Sequence, residues 1–141
     1  MKQSFFVEGA PVPKGSTKSF LHRKTGRIVT MQDNREKQKV WTERIVWKAR
    51  EKGVQLSGGA CSLYVIFHMP EPKSFRNAKG NRKPSAPKWH TKKPDLDKLL
   101  RCVMDALTGI AWKDDSQVIR IVGRKGYAGE ACGAYIEIEG S

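Results

Sequence analysis

Cysteine is scarce and badly spaced for chemistry. The three in the chain, Cys61, Cys102 and Cys132, lie far apart and are odd in number. No Cys-x-x-Cys pair offers a zinc site, and no disulfide framework is expected. The three histidines, His22, His68 and His90, show no ligand spacing to one another, so no metal is assigned to them. No apolar run is long enough for a transmembrane helix, and no membrane partner is expected. No repeat and no coiled-coil heptad occurs. The opening Met1–Gly15 stretch lacks the apolar core and small-residue cleavage site of a signal peptide. These absences lead to the expectation of a cytoplasmic protein with free thiols. Acidic residues are also few. There are 14 against 27 Lys and Arg, which leaves a net charge of +13 and a pI near 9.9.

What remains is enough for a modest core. The 141 residues set an expectation of one domain, 1–141. Separate cofactor and substrate domains have no room. Apolar residues make up 38%, with four Trp and five Phe, which is too apolar for a disordered chain.

The charge is uneven. Residues 52–94 carry nine basic groups against Glu71 alone, whereas residues 95–141 carry six against eight acids. Five of the six aspartates lie between positions 95 and 115: Asp95, Asp97, Asp105, Asp114 and Asp115. A basic chain with one concentrated Asp cluster suggests a polyanion held by the basic part and a cation held by the cluster. A solvated acidic surface balancing nearby lysines is the other reading, and charge alone leaves both open.

Periodicity gives a coarse order of elements. Ser4–Glu8 reads as a strand, followed by turn chemistry at 11–15. Phe20–Thr30 reads as two strands around Thr25-Gly26. Asp33 or Asn34 can cap a helix running through Val40, Trp41, Ile45, Val46, Trp47 and Ala49 to Gly53. Its two tryptophans are expected in the core, with Arg35, Lys39, Glu43 and Arg50 facing water. Cys61–Met69 is the strongest strand signal. Residues 70–93 hold four Pro and eight basic residues without periodicity, which marks a functional or disordered loop. A second helix begins at Pro94-Asp95, with Leu96, Leu99, Leu100, Val103, Ala106 and Leu107 on its apolar face, and ends at Gly109. Residues 117–122 and 134–138 alternate as half-buried strands, and the Gly-rich 126–133 suits a hairpin between them. The expected fold is a single compact α+β domain, with a mostly antiparallel or mixed sheet packed by two main helices.

The chemistry concentrates in residues 92–107 and 112–118. Asp95 and Asp97 stand at a helix entry, where both side chains can point the same way. Asp97, Arg101 and Asp105 follow at i, i+4 and i+8 on one helical face. Asp114-Asp115 comes after one short turn and is expected to fold back toward the helix start. Carboxylates this close repel one another, and a hard divalent cation such as Mg²⁺ or Mn²⁺ relieves that. Such a metal, completed by phosphate oxygens, would activate water at phosphorus. Each Asp also has a plainer reading: Asp95 as a helix cap, Asp105 as an ion-pair partner of Arg101, Asp114-Asp115 as a turn.

The stretch Lys93-Pro-Asp-Leu-Asp97, with Leu99 and Asp105-Ala-Leu107, then Trp112, Asp114-Asp115 and Gln117-Val118, resembles the signature of the RusA-type Holliday junction resolvases. Gly9-Ala-Pro-Val-Pro-Lys14-Gly15 is similar to an N-terminal pattern of phage-borne members, and His68-Met69-Pro70 also fits. The resemblance implies a RusA-like fold and a metal-dependent endonuclease acting as a homodimer on four-way DNA junctions. It further implies catalysis and metal binding by Asp95, Asp97 and Asp115, with Asp105 and Asp114 supporting. Mg²⁺ is the implied cofactor, replaceable by Mn²⁺, and the implied setting is the DNA of a bacterial host. The sequence departs from the pattern twice. Lys98 stands where Asn is usual, and Arg101 where the catalytic Lys is usual. Arginine keeps the charge but cannot give up a proton, so Arg101 is expected to clamp the scissile phosphate, with Lys98 a candidate to share the role.

Lys73, Arg76, Lys79, Arg82, Lys83 and Lys88 are expected to track DNA phosphates, joined by Lys14, Lys92, Lys93 and Lys98. Trp89 is expected to stack at an opened junction centre. Two other functions fit the basic composition: a non-catalytic nucleic-acid-binding module, and a metal nuclease for other branched DNA or RNA. The Asp cluster argues against the first, because bare carboxylates beside phosphate weaken binding. Only the resemblance argues against the second.

Overall fold

The computed structural model describes residues 1–15, 17–21, 28–32 and 35–140. The elements in chain order are β1 (Lys2–Glu8), β2 (Thr17–Leu21), β3 (Ile28–Gln32), α1 (Arg35–Glu51), β4 (Cys61–Met69), α2 (Leu96–Leu107), β5 (Val118–Tyr127) and β6 (Gly133–Gly140). Short 3-10 turns occupy Lys73–Phe75 and Asp115–Gln117. The expected turn at Thr25-Gly26 and the cap at Asp33 or Asn34 lie outside the described residues.

The main sheet has the order β1-β6-β4-β5, and β2 and β3 form a separate antiparallel pair. β6 runs antiparallel to both β1 and β4, whereas β4 and β5 are parallel. The architecture is therefore α+β with a mixed sheet and two helices, as the periodicity implied. The expected 126–133 hairpin is not formed, because β4 lies between β5 and β6. The physical reason is in β4 itself. It is the most continuously apolar strand, and every second residue from Cys61 to Met69 is buried. Such a strand is most stable with partners on both edges. The long 70–93 segment and α2 then form the crossover that parallel pairing of β4 and β5 requires.

Strand register explains how the helices sit. One row across the sheet reads Phe5, Ile136, Val65 and Gly123. The first three are buried side chains, and the fourth is a glycine on the edge strand. A Cβ at Gly123 would stand 2.7 Å from Leu100 Cδ1, so α2 seats Leu100 directly on the β5 backbone. Leu99, Cys102, Val103, Ala106 and Leu107 carry the rest of the α2 face into the core. α1 contributes Trp41, Ile45 and Ala49. Trp47, expected in the core with Trp41, is instead 67% exposed. It lies six residues from Trp41, about 600° of helical rotation and so well off the buried face.

The 70–93 segment is not featureless. Arg76 Nε donates to Glu71 Oε1 at 2.7 Å, and its Nη atoms donate to the carbonyls of Gly80 and Gly129. Phe75 packs edge-on against Tyr127, and Trp89 bridges to Gly126 at the outer edge of β5. Because Gly123 leaves no room beneath Leu100, Gly123→Val should overpack this contact. A loss of about 1–3 kcal/mol in denaturant unfolding is expected, while Gly58→Ala, with nothing within 4 Å of its added Cβ, should be close to neutral.

Candidate active site

The acidic residues are held at the two ends of α2. Asp95 is the N-terminal cap residue, in extended conformation, and its side chain makes no capping hydrogen bond. Asp97 sits in the first turn. Both are exposed, and both lie where the positive end of the helix dipole favours a carboxylate. Asp115 is at the other end. Its Oδ1 accepts from Thr108 Oγ1 at 2.6 Å and from Trp112 Nε1 at 2.9 Å. Thr108 is the C-cap of α2, and Trp112 is fully buried. Asp115 therefore does not fold back to the helix start as expected. Thirteen residues at 1.5 Å each separate Asp95 from the C-cap, about 20 Å. That exceeds the reach of two aspartate side chains around one ion.

The second half of the sequence signature is structural in detail. Asp114 caps the 115–117 turn, accepting from the Ser116 N–H at 2.9 Å, which holds its carboxyl below the usual range. Gln117 Oε1 accepts from the backbone N–H groups of Lys113 and Asp114. Its Nε2 donates to the carbonyls of Ser57 and Gly59. A single amide thus saturates both its donors and its acceptors while fixing the turn that carries Asp115.

The first half of the signature opens onto a groove of about 470 Å³ between residues 10–15 and the start of α2. Lys14, Lys37, Lys93 and Lys98 line it together with Asp95. Several cations around a carboxylate at a helix N-terminus suit a phosphate. The segment is tied down by Lys14, whose N–H donates to the Lys98 carbonyl and whose Nζ pairs with Asp105 at 2.8 Å. Asp105 thus has Lys14 as its partner rather than Arg101. The pair is a third or more exposed on each side, so its contribution is about 1 kcal/mol or less. Arg101, one turn from Asp97, is exposed, and its side chain makes no hydrogen bond or ion pair among the described residues.

The remaining candidate cations divide into two groups. Arg76 is committed to internal contacts, as described above, and Arg82 donates to the Pro87 carbonyl. Lys73, Lys79, Lys83, Lys92 and Lys93 are exposed. Lys88 lies 5.0 Å from the Trp89 ring centre, and Arg124 lies at the same distance. Trp89 is 44% exposed, so it is neither buried nor free of cationic neighbours.

Three basic residues were missed from sequence. Lys37 and Arg124 give no signal, since each is one charge among many on an exposed face. Lys125 did give one. It shares strand parity with Ile121 and Gly123, so it points to the helix-covered face. Its Nζ donates to the carbonyls of Lys92 at 2.7 Å and Pro94 at 2.6 Å. It therefore holds the chain entering Asp95. His90 lies close by. Burial, then the neighbouring Lys125, pushes its pKa down.

Among the described residues, no group of three His, Cys, Asp or Glu side chains stands close enough to hold a metal ion. A three-carboxylate site of Asp95, Asp97 and Asp115 does not fit within one chain. Asp95 and Asp97 alone remain a suitable donor pair, since Mg²⁺ takes one or two carboxylates with waters and phosphate oxygens.

Residues 8–139 match the family described as endodeoxyribonuclease RusA, which places the chain among the DNA-cutting endonucleases. It belongs to the RusA family, whose members act on Holliday junctions. It is also 33% identical over 130 residues to the uncharacterized protein YqaN of Bacillus subtilis (strain 168), covering 89% of this chain and 88% of that protein.

If Lys125 holds the approach to α2, Lys125→Met should lose both charge-assisted bonds. Equilibrium unfolding should show a loss of about 1.5–3 kcal/mol, the range for hydrogen bonds to a charged group. Lys83→Met, on the exposed loop, should change little.

Proposed function

We propose that the protein is a single-domain, Mg²⁺-dependent homodimer that resolves four-way DNA junctions in the bacterial cytoplasm. Family membership supports DNA cutting. The observation that carries the finer reading is the placement of the carboxylates: a pair beside a lysine-lined groove at one end of α2, and Asp115 held rigidly at the other. One chain cannot bring the two ends together. A second copy running antiparallel can, and two-fold symmetry then makes two equivalent centres, as two matched cuts in a four-way junction require.

In this reading Lys14, Lys37, Lys93 and Lys98 bind phosphate, and Lys125 fixes the backbone that presents Asp95. A bound divalent cation would supply charge neutralisation and an acidified water. Arg101 places a permanently charged, otherwise uncommitted guanidinium one turn from Asp97, where it can stabilise charge that develops on the phosphate. Thr108 and Trp112 occupy one oxygen of Asp115 and leave the other available.

Mixing tests the shared site. Asp97→Asn and Asp115→Asn homodimers should each bind junctions yet fail to cut in Mg²⁺. When the two are mixed, heterodimers should recover one intact centre and nick junctions, as seen by denaturing gel. Silence of the mixture would place all three carboxylates of a centre in one chain or outside it. Full cutting by either single variant would remove that residue from the site.

Arg101 has its own test in single-turnover cleavage. Arg101→Ala should slow turnover by roughly 10²-fold, the scale for loss of one transition-state donor. Arg101→Lys should keep much of the rate, and junction affinity should fall far less in either case. An unchanged rate in Arg101→Ala would mark the residue as a solvated helix charge.

A further inference from the structure

The sheet has a second edge strand, β1, on the side away from β5. Gly9 N–H donates to the Cys132 carbonyl, and Gly140 N–H donates to the Met1 carbonyl. By the two-residue alternation of an antiparallel pair, Gln3, Phe5 and Val7 also turn their backbone groups toward β6. Ser4 and Phe6 turn theirs outward. So does Glu8, whose carbonyl accepts from Arg44 Nη1 at 3.2 Å. Among the described residues, no strand pairs with this outer side of β1.

The edge forms one wall of a groove of about 870 Å³, and α1 forms the other. Arg44, Lys48 and Lys52 line it at i, i+4 and i+8. Lys52 N–H donates to the Lys48 carbonyl, so the helical spacing carries on past Glu51. The row runs the length of β1. Arg44 stands at Glu8, and Gln55, three residues after Lys52, donates its N–H to Gln3 Oε1 at the other end. Val40 and Trp47, both exposed, add apolar surface to the same wall.

We infer that this groove takes an extended acidic segment of a partner protein, added to β1 as a further strand. The backbone selects a polypeptide. The outward groups of Ser4 and Phe6 include donors and acceptors alike. Nucleic-acid phosphates only accept, and would leave those carbonyls without a partner. A strand satisfies both kinds of group, and an open edge is a ready template for one.

Charge and spacing select the acid. Glu8 and Glu43 also line the groove, and Lys48 has Glu51 beside it at 3.4 Å. Of these charges, only the cations form a row of three along the edge. Successive members of that row are about 6.0 Å apart along the helix axis. Every second residue of a strand advances about 6.7 Å. A segment with Asp or Glu at alternate positions therefore keeps step with all three cations, while the residues between fall on the Phe6 side of the sheet. The surface lies at the opposite edge from β5 and uses none of the residues assigned to cutting.

Fluorescence anisotropy of a fluorescein-labelled peptide, Glu-Val-Glu-Phe-Glu-Val-Glu, tests this on the whole protein. Saturable binding at one peptide per chain is expected. The same residues reordered as Glu-Glu-Glu-Glu-Val-Val-Phe should bind roughly 10-fold more weakly, since net charge is kept and register lost. Lys48→Glu combined with Lys52→Glu should weaken the alternating peptide roughly 10-fold or more, because like charges then face each other. Ser4 is exposed, and Ser4→Pro removes one outward N–H. That change should weaken binding roughly 5-fold, the loss of one backbone hydrogen bond. Circular dichroism and junction cutting should stay as in the parent protein. Absence of binding, equal binding of the two peptides, or indifference to both substitutions would overturn the proposal. So would a charge-reversed protein that loses junction affinity as strongly as peptide affinity, which would assign the row to DNA. Loss of self-association in Ser4→Pro by sedimentation would assign the edge to a second copy and overturn it equally.

Discussion

The seating of α2 on β5 is the contact on which the candidate site depends. It is made by the absence of a side chain at Gly123, which lets Leu100 rest on the strand backbone. A helix set this close to an edge strand is fixed in height and rotation. Its two ends are then located relative to the sheet, and so are the carboxylates they carry. Lys125 adds a second constraint from the same strand by gripping the carbonyls just before the helix. The strand order places this contact at the side of the sheet, since β4 lies between β5 and β6 and leaves β5 as an edge strand with α2 on its face.

Electrostatics then follows from position. The carboxylates at the start of α2 are exposed, and Asp95 shares its groove with lysines from three separate stretches, residues 14, 37 and 93–98. Their charge is offset without being neutralised by a dedicated ion pair. Asp105, in contrast, is matched to Lys14, and Asp114 to the backbone of its own turn. Of the five clustered aspartates, two are thereby committed to structure, one is half-committed through Thr108 and Trp112, and two are open to a ligand.

The elements legible in the sequence were those with strong local periodicity. Cys61–Met69, the apolar face of α2 and the alternation after Gln117 all announce themselves within one element. Pairing was less legible, because the Gly-rich stretch 126–133 reads the same whether it makes a hairpin or crosses the end of another strand. Only the greater hydrophobicity of β4 hints at which occurs. The site divides in the same way. Asp95 and Asp97 could be placed at a helix start by spacing alone. The position of Asp115 could not, because it depends on hydrogen bonds from Thr108 and Trp112 that no spacing rule encodes. Lys125 was readable from strand parity, as a charge at an inward-facing position. Trp47 misled because an aromatic residue near the helical stripe counts as core in any periodicity argument.

With acidic groups fixed at its two ends, α2 is a ruler. Its twelve residues set a span, and its pitch sets the angle between the groups at either end. One inserted residue would lengthen the span by about 1.5 Å and turn everything beyond it by about 100°. Substitutions along the buried face can be repaired by repacking, but a change in length cannot. The number of residues between Asp97 and Thr108 is therefore a property of the chemistry as much as of the fold, and it is the dimension against which any DNA held across the helix must be measured.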